Sequence, residues 1–460
     1  MRSSVSLSRR AVLGALSTAL GAGALSALSA CGATAGPAQG GGEKEITQPV
    51  TLEYWPHWGG ASREPAYAKL TEAFTADNPK ITVNTTPYGH NLEKLVSNVV
   101  AGTPPDVAII RSSGQALAIK SAIQALDDRI ARAKLFKKSD YADAQWDQYT
   151  WKGKIYAVPA MENGPRGALV YNKKLFVEAG ADPNKPPKTV DELHKLHERI
   201  TKEDGGQITR LGFDPWDAMS LEGFLEFWGE GMFGARWYDA KAVKLNLNSP
   251  EMVQAVEEFT SFRIRTGWDK VATFRQTYGT WTGKTSGLTS QTQAMQINGY
   301  WTPGEERIFP DPGNDVASNL AYTWVPTQKG DRKVQLIGGW AACIPAGVKQ
   351  MDAAFRFIEW MTTAKCNQIL LDEFGFLNGN KTAAKELKYD HVPNLKFYLD
   401  SLTQADKVVQ PINVPIWSDL DKGYRAMLDN VGQSKKAARA ALDELQTQLQ
   451  QLLDDTVKGA

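Results

Sequence analysis

The sequence predicts an α/β protein of more than one domain. Two observations carry that expectation. Strand-like and helix-like stretches alternate from Val50 onward, and about 410 residues follow an N-terminal leader and linker, which exceeds one ordinary core. Val50 to Trp55 reads as a strand, Glu64 to Asn78 as an amphipathic helix and Ile81 to Thr85 as a second strand. A helix through Leu92 to Val100 leads, by the turn Thr103-Pro104-Pro105-Asp106, to the apolar run Val107 to Ile110. Elements of these lengths in alternation imply parallel strands. Ligands of such sheets bind beyond the carboxyl ends of the strands, which places Pro56, His57 and Trp58 beside Arg111, Ser112 and Ser113 at one crevice. A helix-rich region from about Gly164 to Val325 carries Trp216, Phe227, Trp228, Trp237 and Trp281. It is followed by a strand-like run, Val334 to Pro345, a helix with Ala354, Phe355, Ile358 and Met361 at helical spacing, and a Gln- and Leu-rich amphipathic tail from Ser434 to Val457.

The first 48 residues read as export and attachment rather than fold. Arg2, Arg9 and Arg10 precede Ala11 to Ala30, a stretch of Ala, Leu, Gly, Ser, Thr and Val, which meets the requirements of a secretory leader over residues 1–30. The pair in SRRAVLG fits the twin-arginine pattern. A permanent membrane helix is the competing reading, since about 20 apolar residues suffice to cross a bilayer. Against it, Leu28-Ser29-Ala30-Cys31 resembles a bacterial lipobox, so Cys31 is expected to be acylated and to become the new N-terminus. Residues 31–48, rich in Gly and Ala, then form a flexible tether, and the protein is expected outside the cytoplasm, held by lipid to the outer face of the bacterial cell membrane.

Loss of residues 1–30 removes three arginines and no acid, leaving 49 basic against 51 acidic residues. Nucleic-acid binding is not implied, because that needs clustered basic charge. Cys343 and Cys366 could form one disulfide in an oxidising compartment, but two buried thiols are expected, because nothing in the sequence fixes the geometry of a bridge.

Enzyme signals are weak. Gly279 to Thr285 (GTWTGKT) imitates a phosphate-binding loop, but three residues separate its glycines where four are needed, and no apolar strand precedes it. His194 and His197 are expected on a solvated helix face, not in a metal site. There is no GxSxG nucleophile elbow. Glu222, Glu226 and Glu230 recur every four residues and predict a solvated acidic stripe in preference to a catalytic pair, which must face each other across the scissile bond. No catalytic residue, metal or cofactor is expected.

Residues 151–189 read WKGKIYAVPAMENGPRGALVYNKKLFVEAGADPNKPPKT, with Y-x-VP, YNK, LF and PKT segments in order. Gln293 to Trp301 (QAMQINGYW), the glycine pair in Ile337-Gly338-Gly339-Trp340 and the helix over Ala353 to Thr363 follow. This pattern resembles the extracellular solute-binding proteins of carbohydrate ABC transporters, which are similar to the maltose-binding protein, over nearly all of residues 50–430. The resemblance implies a two-lobe periplasmic-binding-protein-like fold with discontinuous lobes and a hinge. The first lobe would span 49–158 plus 327–376, and the second, helix-rich lobe 159–326 plus 377–460. Chain crossings would fall near Ala157 to Ala160, Trp324 to Thr327 and Phe374 to Leu377. It further implies a monomer that captures a sugar and hands it to ABC permease subunits. The segment GFLNGNKTA departs from the family in lacking its usual proline and arginine, which leaves Asn378 and Asn380 without an assigned role.

A pyranose offers an apolar face of C–H bonds and a rim of hydroxyls, so its site needs aromatic planes and charged or amide partners. Trp55, Trp58, Tyr300, Trp301 and Trp340 are the candidate aromatic residues; His57, Arg111, Ser112, Glu162, Arg166, Asn298 and the backbone of Gly339 are the candidate polar ones. Glu162 lies four residues past the VP segment, where the resemblance implies a sugar-contacting acid, and Tyr171 and Asn172 are expected to hold the second lobe together. A cell-wall polysaccharide-binding lipoprotein and, behind it, a secreted glycoside hydrolase are the competing readings.

Overall fold

The computed structural model describes residues 45–60, 63–89, 91–111, 119–281, 285–308 and 316–458. Strand β1 (Val50–Trp55) runs parallel to β2 (Ile81–Thr85) on one side and to β3 (Val107–Arg111) on the other. Helix α1 (Glu64–Asp77) joins β1 to β2 and buries Ala66, Tyr67, Leu70 and Phe74, one face at helical spacing. Helix α2 (Leu92–Val100) joins β2 to β3, and the side chain of Asn91 accepts the Lys94 N–H at 2.8 Å to cap its start. The first four residues of β3, Val107 to Ile110, are fully buried, as the continuous apolar run of a parallel strand covered on both faces requires.

The sheet continues through the strand Val334–Cys343, buried along its whole length. Its last residues pair antiparallel with β3, and residues Ile337 to Ala342 pair antiparallel with the strand Val158–Pro165. Its first residues pair parallel with Lys407–Val409. A second sheet of three antiparallel strands has Ala168–Asn172 at its centre, with Met295–Asn298 and Leu320–Thr323 on either side. Asn172 starts the following helix, Lys173–Glu178, by accepting the Leu175 N–H at 3.1 Å, and the Tyr171 hydroxyl donates to the Pro183 carbonyl at 2.9 Å. Cys343 and Cys366 are buried and unbridged. Among the described residues no helix is long and apolar enough to cross a membrane; Cys31 and the leader lie outside the described residues.

Asn378 and Asn380 act as side-chain clips. The Asn378 amide donates to the Met361 and Thr363 carbonyls at 2.9 and 3.1 Å, and the Asn380 amide donates to the Thr362 carbonyl at 3.0 Å. They pin the segment after Phe374 to the end of the Met351–Met361 helix.

Candidate functional site

Pairing across three neighbouring strands builds the centre of the site. Trp340 stands opposite Arg111 of β3 on one side and opposite Glu162 on the other, so the three residues form a row across the sheet. The approach of the strands depends on Gly339, whose φ is +151°; a Cβ there would lie 2.0 Å from the Glu162 carbonyl oxygen. Gly339 therefore contributes close backbone packing. His57, just past β1, closes the row: its ring lies 4.4 Å from that of Trp340, and its Nε2 is 3.1 Å from Oε2 of Glu162.

Both members of this buried pair are electrostatically committed. Burial raises the Glu162 carboxyl, but the hydrogen bond from His57 and the charge of Arg166, 3.9 Å away, outweigh it and hold the acid below the ordinary carboxylate range. Burial is the largest influence on His57 and lowers its value, so the imidazole is neutral at pH 7 and donates from Nε2 to the carboxylate.

Around this row lies a cavity of about 570 Å³. Trp58, Trp216, Trp281, Trp301, Trp340 and Phe376 supply aromatic surface, and Arg63, Arg111, Arg166, Arg425, Glu162, Glu222 and Glu305 supply charge. The arginines come with acidic partners: Arg63 donates to Glu305 at 2.8 Å, Arg111 is ion-paired with Glu222, and Arg425 donates to Asp421 at 2.9 Å. The Arg166 guanidinium sits 5.0 Å from the ring centre of Trp301, whose ring in turn lies 5.9 Å from that of Trp281.

Of the residues proposed from the sequence, Trp58, Arg111, Glu162, Arg166, Trp301 and Trp340 line this cavity, and His57 and Gly339 support it from behind. Ser112 lies outside the described residues. Trp55 is elsewhere: strand alternation turns it to the opposite face from Tyr54, where it stacks on Tyr88 at 5.7 Å with the Lys94 ammonium 4.7 Å from its ring centre. Asn298 and Tyr300 are fully buried and off the lining; Asn298 accepts the Gly299 N–H, and the Tyr300 ring packs on Gly164. Trp301 has a double role, only 4 % exposed and part of the main core as well as of the cavity wall.

Sequence reasoning missed Arg63, Trp216, Trp281, Glu305, Phe376 and Arg425 as cavity residues, because each reaches the site from an element with no local motif. The solvated acidic stripe is overturned. Glu222 faces the cavity, Glu226 is buried and Glu230 pairs with Lys407 at 3.0 Å. The turn Phe224–Met232 packs against the strands Val334–Cys343 and Lys407–Val409, so the face that carries these acids is turned to the protein and not to solvent. His194 and His197 are likewise not solvated. Packing of their helix on Pro250–Thr266 buries both, with His194 3.0 Å from Glu258 and stacked on Phe262, and His197 Nδ1 accepting the Phe213 N–H.

An α/β fold with an aromatic and charged cleft of this kind defines a two-lobe, maltose-binding-protein-like solute receptor. A model of the bacterial extracellular solute-binding protein family matches residues 60–367, well over half of the chain, and the chain belongs to that family. It is 26 % identical over 420 residues to the sn-glycerol-3-phosphate-binding periplasmic protein UgpB of Brucella melitensis, covering 85 % of this chain and 90 % of that protein. It is 24 % identical to the multiple sugar-binding protein of Streptococcus mutans, covering 74 % and 77 %. Among solved structures it is similar to CpMnBP1 with mannotriose bound, with a TM-score of 0.75, 24 % identity and coverage of 86 % and 99 %. It is also similar to an ABC substrate-binding protein of Listeria monocytogenes in complex with cycloalternan, with a TM-score of 0.71, 18 % identity and coverage of 88 % and 100 %.

Proposed function

We propose that this protein captures a di- or oligosaccharide between its two lobes and delivers it to the permease subunits of an ABC importer. The observation that carries this reading is the lining of the cavity, where aromatic planes alternate with arginine–glutamate pairs. Trp58, Trp281, Trp301 and Trp340 suit the C–H faces of pyranose rings, and the paired charges suit their hydroxyl rims, each such bond contributing about 1.5–3 kcal/mol. Because the arginines are already matched by acids, the cavity favours a polar, uncharged ligand.

The protein acts as a monomer outside the cytoplasm, tethered through lipid on Cys31 and residues 32–48. The lobes are 49–158 with 327–376 and 159–326 with 377–460. The strand Val334–Cys343 joins segments of both, pairing at one end with β3 and at the other with Lys407–Val409.

Titration calorimetry with mannobiose, mannotriose and maltotriose, sugars bound in the related structures, tests the proposal. Binding with the sugar recovered intact supports it. Cleavage of the sugar replaces it with a hydrolase, and binding of wall polymer alone replaces it with a lectin.

A further inference from the structure

Behind the main cavity lies a second, much smaller one of about 60 Å³. Arg111, Arg166 and Glu222 line both, so the two spaces adjoin through a shared wall. Glu226, which is 2 % exposed, lines the inner space. Three of its lining residues each carry a buried polar atom without a hydrogen-bond partner among the described residues: Oε1 of Glu226, Oε2 of Glu222 and Nε of Arg166. Orphaned buried polar atoms cost free energy and mark a place where a further polar group belongs.

On the reading that the main cavity holds a sugar, we infer that the inner pocket is a terminal subsite, which receives one hydroxyl-bearing substituent of the ligand's end ring. Size supports this. A site needs only about 10–15 Å³ of such space to hold a water, so the pocket has room for a hydroxymethyl-sized group. Chemistry supports it too. A hydroxyl donates one hydrogen and accepts others, and can therefore donate to one of the two carboxyl oxygens while accepting from the Arg166 N–H. A phosphate, which only accepts at neutral pH, would face the Glu222 carboxylate across a space of this size. The ligand is thus bound end-on, and its terminal ring is read at Glu226. Glu222 and Glu226, four residues apart, present their side chains to the same small space.

The test is calorimetry on the full mature chain with mannotriose and maltotriose, each also prepared with the hydroxymethyl oxygens of both end rings methylated. The expected results are at least about tenfold weaker binding of the methylated sugars to the wild type, and a similar loss for the parent sugars with Glu226→Leu. Glu226→Gln, which keeps a donor and an acceptor, should lose no more than about threefold. Equal affinity of wild type for parent and methylated sugars overturns the inference whether or not Glu226→Leu folds. If the wild type binds none of these sugars but does bind glycerol 3-phosphate, both the terminal subsite and the sugar reading fall; sugar binding without an end effect sinks the subsite alone.

Discussion

Arg63 donates from Nη2 to Oε1 of Glu305 at 2.8 Å, joining the turn before α1 to the Trp301–Ile308 helix. The first flanks the large sheet and the second follows the three-stranded sheet, so the pair ties a segment of one sheet's surroundings to one of the other's. Both side chains are mostly buried, and removing one partner from such a pair strands the other charge. We expect Arg63→Leu and Glu305→Leu each to lower stability, with the double variant recovering part of the loss. A double-mutant cycle by urea denaturation should give a coupling of about 0.5–3 kcal/mol. Small-angle scattering on Arg63→Leu should also show a larger radius of gyration without ligand, and contraction of the wild type on sugar binding, with Ala157 to Ala160, Trp324 to Thr327 and Phe374 to Leu377 as the hinge candidates. Strict additivity together with an unchanged radius would deny the pair any part in closure.

Trp281 and Trp301 separate binding from stability. Trp281 is 42 % exposed at the cavity and Trp301 only 4 %. Trp281→Ala should weaken sugar affinity about tenfold, or about 1.4 kcal/mol, while the melting temperature of the ligand-free protein stays where it is. Trp301→Ala should lower both, since truncating a buried tryptophan costs about 3–5 kcal/mol. Unaltered affinity in Trp281→Ala would remove that ring from the binding surface.

Burial, aided by Glu230, pushes the Glu226 carboxyl up to about 8. An acid whose folded-state value is raised stabilises the fold fully below its unfolded value, about 4.3, and that contribution is lost as pH climbs toward 8. Glu305 and Glu306, raised by burial to about 7, act in the same direction and remain in a Glu226 variant. Glu226→Gln should therefore gain in melting temperature relative to wild type between about pH 5 and about pH 9, by roughly 2 °C or more at the upper end. A difference that is flat with pH would mean that Glu226 is ionised throughout.

Cys31→Ser should move the protein from the membrane to the soluble fraction without changing its sugar affinity, because a lipid anchor and a flexible tether play no part in the cleft. Continued retention at the membrane would point to Ala11 to Ala30 as a spanning helix.

The sequence alone determined the elements and their class. Alternating strands and helices over Val50 to Arg111 appear with boundaries within a residue or so of those read from periodicity, because burial on one helix face or along a parallel strand is written locally. It also placed Trp58, Arg111, Glu162, Arg166, Trp301 and Trp340, since the ends of strands and the family-like segments are local features. Tertiary structure decided what those residues face. The register Arg111–Trp340–Glu162 depends on three strands more than 200 residues apart at their extremes, and strand alternation sent Trp55 to the other face. The acid stripe was misread because spacing gives the face but not what covers it, and the turn Phe224–Met232 packs on the strands Val334–Cys343 and Lys407–Val409. Trp281, Arg63, Glu305 and the buried Glu226 could not have been found in advance, because a cavity wall is a property of packing and leaves no period in the chain.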